Sequence, residues 1–310
     1  METCALTPFD HAKADIILRS ADGVEFRVFT LFLSLASPFF ETLFCLPQAP
    51  GGAITDQVMK DGLVVVAMSE DSKTLDLFLR FCYPSTLAED PSLENLTDAL
   101  PVLAAARKYS LGLIEKKVCQ ALVNPKVLET EPLRCFAISR NARLKHETIT
   151  AARYTLRQPL IPAWCSEIDL ITASDLLALL TYHKKCITAV QTLWDLNWIT
   201  NHYRSQSGCK WLFCSGYCRC GRGDDKKFFL WGDGTVTWWI KYMQEVFELL
   251  KDSPSGDTVR TAADRTVGVV RAANCTVCSG QVKENIAEFS NLLAQKVEEI
   301  VASIELEMDF

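Results

Sequence analysis

Positive charge is in short supply along this chain. Its 32 Lys and Arg stand against 38 Asp and Glu, a net charge of -6. Phosphate recognition needs concentrated basic residues, so a nucleic-acid partner is not expected. The basic pairs Lys116-Lys117, Lys184-Lys185 and Lys226-Lys227 are short and read as solvated faces. Long apolar runs are also missing. The longest, Leu63 to Met68, is far too short to span a bilayer, and the first fifteen residues hold no apolar core of signal-peptide length. The expectation is an intracellular protein, cytoplasmic or nuclear, without a membrane contact. Histidine is scarce, with four in the chain. His146-Glu147 opens like a metalloprotease motif, but Thr150 stands where the second ligand belongs. Gly221-Arg222-Gly223 lies in a Cys-rich loop and follows no strand, so it is no phosphate cradle. Neither a catalytic nor an organic-cofactor residue is expected, and the chain reads as a non-enzyme.

What is present is globular in character. Apolar residues make up 49% and charged residues 23% of 310 positions, enough for two or three domains with cores of their own. The densest signal runs from Asp15 to Leu46. Ile16-Ile17-Leu18 is a short apolar strand, Asp22-Gly23 supplies a hairpin turn, and Val24, Phe26 and Val28 alternate with Glu25 and Arg27. After Phe29 the period lengthens to that of a helix. Ser37-Pro38 then starts a second helix, with serine as cap and proline at the first position. Its expected buried side is Phe39, Phe40, Leu43 and Phe44.

That order, with Leu35-Ala36-Ser37-Pro38-Phe39-Phe40, Glu70-Asp71-Ser72 and Arg80-Phe81-Cys82-Tyr83-Pro84 following, resembles the BTB/POZ domain, and among these the fungal BTB-domain proteins. The resemblance covers about the first third of the chain. It implies protein–protein interaction and a homodimer, with Asp15 near the dimer interface. In many BTB proteins a helical extension follows the domain and the protein serves as a substrate adaptor for a cullin-based ubiquitin ligase. That is the alternative function. Phe29-Thr30 stand where BTB domains often carry a His-Lys pair, so contacts of that histidine do not transfer.

Along the rest of the chain, Pro47 to Lys60 reads as an exposed loop. Leu63 to Met68 reads as a strand covered on both faces, and Leu75, Phe78, Leu79 and Cys82 as one helix face. Leu93 to Tyr109 reads as a helix kinked or broken at Pro101. From Lys126 to Asn201 only helical patterns occur, with Ser174 as the expected cap of a helix over 175–198. Six of the seven tryptophans lie between Trp194 and Trp239. There Lys227–Trp231 and Thr235–Trp239 read as a hairpin, and Lys251 to Asp257 as a linker. Val282, Ile286, Phe289, Leu293, Val297, Ile300 and Ile304 mark a long amphipathic helix, expected to pack on its own chain. The fold class is α+β: a BTB/POZ-like domain (1–125), a helical extension (126–201), and a Cys/Trp-rich segment with a long terminal helix (202–310).

Thirteen cysteines in a reducing compartment argue for thiols and not disulfides. Cys275-Thr276-Val277-Cys278 is a C-x-x-C pair, and Cys209, Cys214, Cys218 and Cys220 cluster ahead of it. Closely spaced thiolates suit zinc, because one turn of chain presents two of them to a tetrahedral ion. The expected metal ligands are Cys214, Cys218, Cys275 and Cys278 around a structural zinc, with Cys209 and Cys220 as competing thiols. Reduced thiols in a small core are the other reading.

Overall fold

The structure is a computed structural model; it describes residues 3–45, 58–93, 96–159, 164–213, 218 and 220–310. The chain forms two compact units, Met1–Thr130 and Glu131–Phe310. The first is a mixed sheet with helices, and the second is almost entirely helical.

In the first unit, β1 (Thr3–Cys4), β2 (Ile16–Arg19) and β3 (Val24–Val28) precede α1 (Thr30–Ala36) and α2 (Pro38–Cys45). Then come β4 (Met59–Lys60), β5 (Leu63–Ala67), α3 (Ser72–Cys82), α4 (Ala99–Lys108), α5 (Gly112–Leu122) and α6 (Pro125–Thr130). Most of the expected loop over 47–60 lies outside the described residues. The strand order is β1-β3-β2-β5-β4. β2 pairs antiparallel with β3, setting Leu18 opposite Phe26, and parallel with β5, setting Leu18 opposite Val66. The hairpin turns at Gly23, whose φ of 85° is costly for any residue with a Cβ. Ile17, Leu18, Val28, Leu33, Phe40 and Phe78 are fully buried.

Three local expectations change. β5 is only half-buried and not covered on both faces, since β4 at the sheet edge is two residues long and shields little of it. Phe39 is 41% exposed while Phe40 is fully buried, because α2 is short and turns a single aromatic toward the core. Pro101 neither kinks nor breaks a helix. It is the third residue of α4, where no intrahelical N–H bond is lost, and the helix begins only at Ala99. Glu25 also departs from the polar face given to it. It is buried, and its carboxylate lies 2.8 Å from Arg19 Nη2 and 2.7 Å from Lys60 Nζ. Burial would raise its pKa, but these two cations more than offset that and hold it below the usual range.

The second unit holds α7 (Pro132–Asn141), α8 (Lys145–Thr155), α9 (Ala173–Gln191), α10 (Asn197–Tyr203), β6 (Phe229–Leu230), β7 (Asp233–Gly234), α11 (Thr237–Leu249), α12 (Gly256–Ala272) and α13 (Val282–Ser303). The helix over 175–198 starts earlier and stops sooner than expected. Thr172, not Ser174, caps α9, in a reciprocal capping box with Asp175. The hairpin is far shorter than expected: β6 and β7 are two residues each, and Thr237 to Trp239 open α11 instead of ending a strand. The reason lies downstream. Trp238, Trp239, Tyr242, Met243, Val246 and Phe247 recur at helical spacing and are all buried. The linker is only a tight turn, because Ser255 caps α12 through Thr258 N. α13 packs against α12 and α9 of its own chain. Helices from the middle and last segments of the sequence therefore share one unit. Phe289 of α13 is its aromatic hub, with Trp198, Trp239 and Tyr242 at ring-centre distances of 5.7, 5.5 and 6.2 Å.

One polar pair lies inside this unit. Thr155 Oγ1 donates to Ala152 O at 2.6 Å and lies 2.7 Å from His183 Nε2. Nδ1 is buried and without a protein partner among the described residues. Burial pushes the His183 pKa down to about 4. A lowered histidine stabilises the fold above the unfolded value of about 6.5, and that stability is lost as pH falls from there toward about 4. Urea unfolding followed by tryptophan fluorescence reports this unit alone, since all seven tryptophans lie in it. The expected loss between pH 7 and pH 5 is about 2 kcal/mol, and His183→Gln should remove most of that difference.

Candidate interaction surface and metal centre

The surface of interest in the first unit is built on α1. Within this helix only Leu33 is fully buried, whereas Leu31 is 61% and Leu35 78% exposed. At i and i+4 the two exposed leucines share one helix face. The start of α1 is fixed from a distance. Phe29, the residue before it, offers no side-chain cap, but Asp15 accepts from Thr30 N at 2.8 Å and from Thr30 Oγ1 at 2.7 Å. The exposed Asp15 therefore serves as a cap reaching over from the entrance to β2. The other end of the β2–β3 hairpin carries a similar contact. Asp22 accepts from Ser72 N at 2.8 Å and Ser72 Oγ at 2.6 Å, at the start of α3. The hydroxyls of Ser20 and Ser72 hold its carboxyl down to about 2. Ser37 caps α2 through Phe39 N at 3.1 Å, and its hydroxyl donates to the Tyr109 carbonyl, which ties α2 to the end of α4. Phe40 stacks on the Tyr109 ring 5.1 Å away. Together these contacts set α1 as a short, firmly seated helix with two leucines turned outward.

In the second unit the cysteines converge. The Sγ atoms of Cys218, Cys220, Cys275 and Cys278 all lie within 4.8 Å of one another. Cys218 Sγ is 3.3 Å from Cys278 Sγ and 3.7 Å from Cys275 Sγ. Sulfurs around a tetrahedral zinc, each about 2.3 Å from the ion, are about 3.8 Å apart. Three of the four expected ligands, Cys218, Cys275 and Cys278, are thus brought together. The fourth, Cys214, lies outside the described residues, and Cys220 completes the set. The C-x-x-C spacing pointed to Cys275 and Cys278, while nothing in the spacing chose between the earlier thiols. Burial pushes the Cys220 thiol up to about 12 and Cys278 in the same direction. No disulfide joins any two of the described cysteines.

The first unit is thus a mixed sheet with short helices, whose leucine-bearing α1 is capped by Asp15 from beside β2. Residues 8–126 match the family model of the BTB/POZ domain, so the first unit is a BTB/POZ domain, a module for protein–protein interaction. No curated protein matches the chain. No described helix is long and apolar enough to cross a membrane.

The cap on α1 yields a direct check. Asp15→Ala should destabilise the first unit by about 1 kcal/mol, the usual worth of a capping side chain. This is read as the tryptophan-silent part of the urea transition in circular dichroism. An unchanged midpoint would show that Asp15 holds nothing in place.

Proposed function

We propose that this chain is a non-enzymatic, intracellular interaction protein of the kind found among fungal BTB proteins, and that it self-associates through α1 of its BTB domain. The observation that carries the reading is the pair Leu31 and Leu35, largely exposed on one face of a helix whose start is fixed by Asp15. Burying two leucines against a second copy removes apolar area from water, worth about 1.5–3 kcal/mol for each side chain fully covered. Light scattering on the full chain at micromolar concentration should give at least a dimer. Leu31→Glu with Leu35→Glu should give a monomer with an unchanged circular dichroism spectrum, because neither side chain contributes to the core. A monomeric wild type, or a dimer that survives both substitutions, would sink the proposal.

The cullin-adaptor reading has its own support. α7 and α8 form a helical pair directly after the BTB domain, the place where adaptor proteins carry a helical extension. On that reading the full chain binds a cullin amino-terminal domain from the same cell. Titration calorimetry that shows no binding at tens of micromolar would leave self-association as the function.

A further inference from the structure

We propose that the second unit holds one structural zinc ion, bound by the thiolates of Cys218, Cys220, Cys275 and Cys278. Four sulfurs from two segments more than fifty residues apart meet within 4.8 Å. The separations of 3.3 and 3.7 Å are far beyond a disulfide bond of about 2.05 Å and near the edge of a zinc–thiolate tetrahedron. The backbone on both sides is shaped to present the sulfurs. After Cys220 the chain turns at Gly221, with φ of 71°, and Gly221 O accepts from Thr237 N at 3.3 Å while Gly223 N donates to Thr235 O at 3.0 Å. This pins the first segment to the start of α11. Cys275 and Cys278 sit in the turn between α12 and α13, where Ser279 N donates to Cys275 O and Val282 N to Cys278 O, each at 2.9 Å. The second pair thus leads directly into the first turn of α13.

The donor set selects the ion. Four sulfurs with tetrahedral spacing suit a thiophilic divalent metal, and neither histidine nor carboxylate belongs to the group. On binding, four S–Zn bonds form and each thiol gives up its proton to solvent, so the site becomes a dianion with all metal positions filled. A closed first shell leaves no place for water or substrate, which makes the ion a structural tie between the start of α11 and the α12–α13 turn. Cys209, buried in the same stretch of sequence, is not one of the four.

The test uses the full chain, purified under reducing conditions and given one equivalent of zinc or cobalt. Mass spectrometry of the metal should return one zinc per chain. The cobalt form should show the intense visible absorption of tetrahedral thiolate cobalt. Cys275→Ser with Cys278→Ser should lose both signals. Cys220→Ser should weaken cobalt binding at least tenfold, with the thiolate charge-transfer band reduced, whereas Cys214→Ser should keep full stoichiometry and the same spectrum. The cobalt spectrum separates loss of a ligand from loss of the fold, which circular dichroism reads on the same samples. A wild-type chain that holds no metal, or one that arrives coloured with iron, overturns the zinc assignment. Loss of metal in Cys214→Ser with retention in Cys220→Ser overturns the ligand set.

Discussion

The first unit depends on a strand that has no outside. Ile16, Ile17 and Leu18 of β2 are all buried, although successive side chains point to opposite faces of a sheet. Both faces at this strand are therefore covered, and both of its edges are used, by β3 on one side and β5 on the other. These three positions take only apolar residues, and the strand's one charge, Arg19 at its end, is partly exposed and paired with Glu25. Only the periphery is left to carry a partner surface. α1 lies there, with one leucine committed to the core and two left over.

The second unit is organised by a different means. Trp238 and Trp239 do not form the expected strand, and Trp194, Trp198 and Trp239 gather around Phe289 and Phe228. Trp194, for instance, lies 4.8 Å from Phe247 and 5.4 Å from Phe228. Edge-to-face contacts of this kind have definite angles, so the aromatics orient the helices as well as bury area. α12 supplies the contrast. Its buried side consists of Val259, Ala262, Ala263, Thr266 and Val270, small residues that let it approach α13 closely. Gly256 shows how closely: a Cβ there would stand 2.9 Å from Glu298 Oε1, to which the Gly256 amide already donates.

These two kinds of packing explain what could be read in the sequence. The β2–β3 hairpin, the Ser37-Pro38 start and the heptad-like stripe of α13 were legible because large apolar residues mark their period strongly. α12 was not, since alanine, threonine and valine barely separate one helix face from another, and the stretch before it looked like a linker. The strand expected over Thr235–Trp239 failed for the opposite reason. Two adjacent tryptophans suit a strand locally, and only the run to Phe247 shows the helical period. Of the metal-site candidates, the C-x-x-C pair was visible as a motif. Cys220 was read only as a competing thiol, because a C-x-C spacing has no preferred meaning until the chain folds back on itself. The long-range caps from Asp15 and Asp22 were equally invisible, as they join residues 15 and 50 positions apart.

Those two aspartates also guard the alignment of the strands. They stand at opposite ends of the β2–β3 hairpin, one holding the start of α1 and the other the start of α3. A slip of β2 by a single residue would turn its side chains to the wrong faces, a fault that near-continuous apolar residues such as Ile16-Ile17-Leu18 do little to penalise. The same slip would carry Asp15 away from Thr30 by about 3.3 Å, the rise of one strand residue, beyond hydrogen-bonding reach. The hairpin's register is thus proofread from its ends by helices, where its own hydrophobic pattern is too uniform to discriminate.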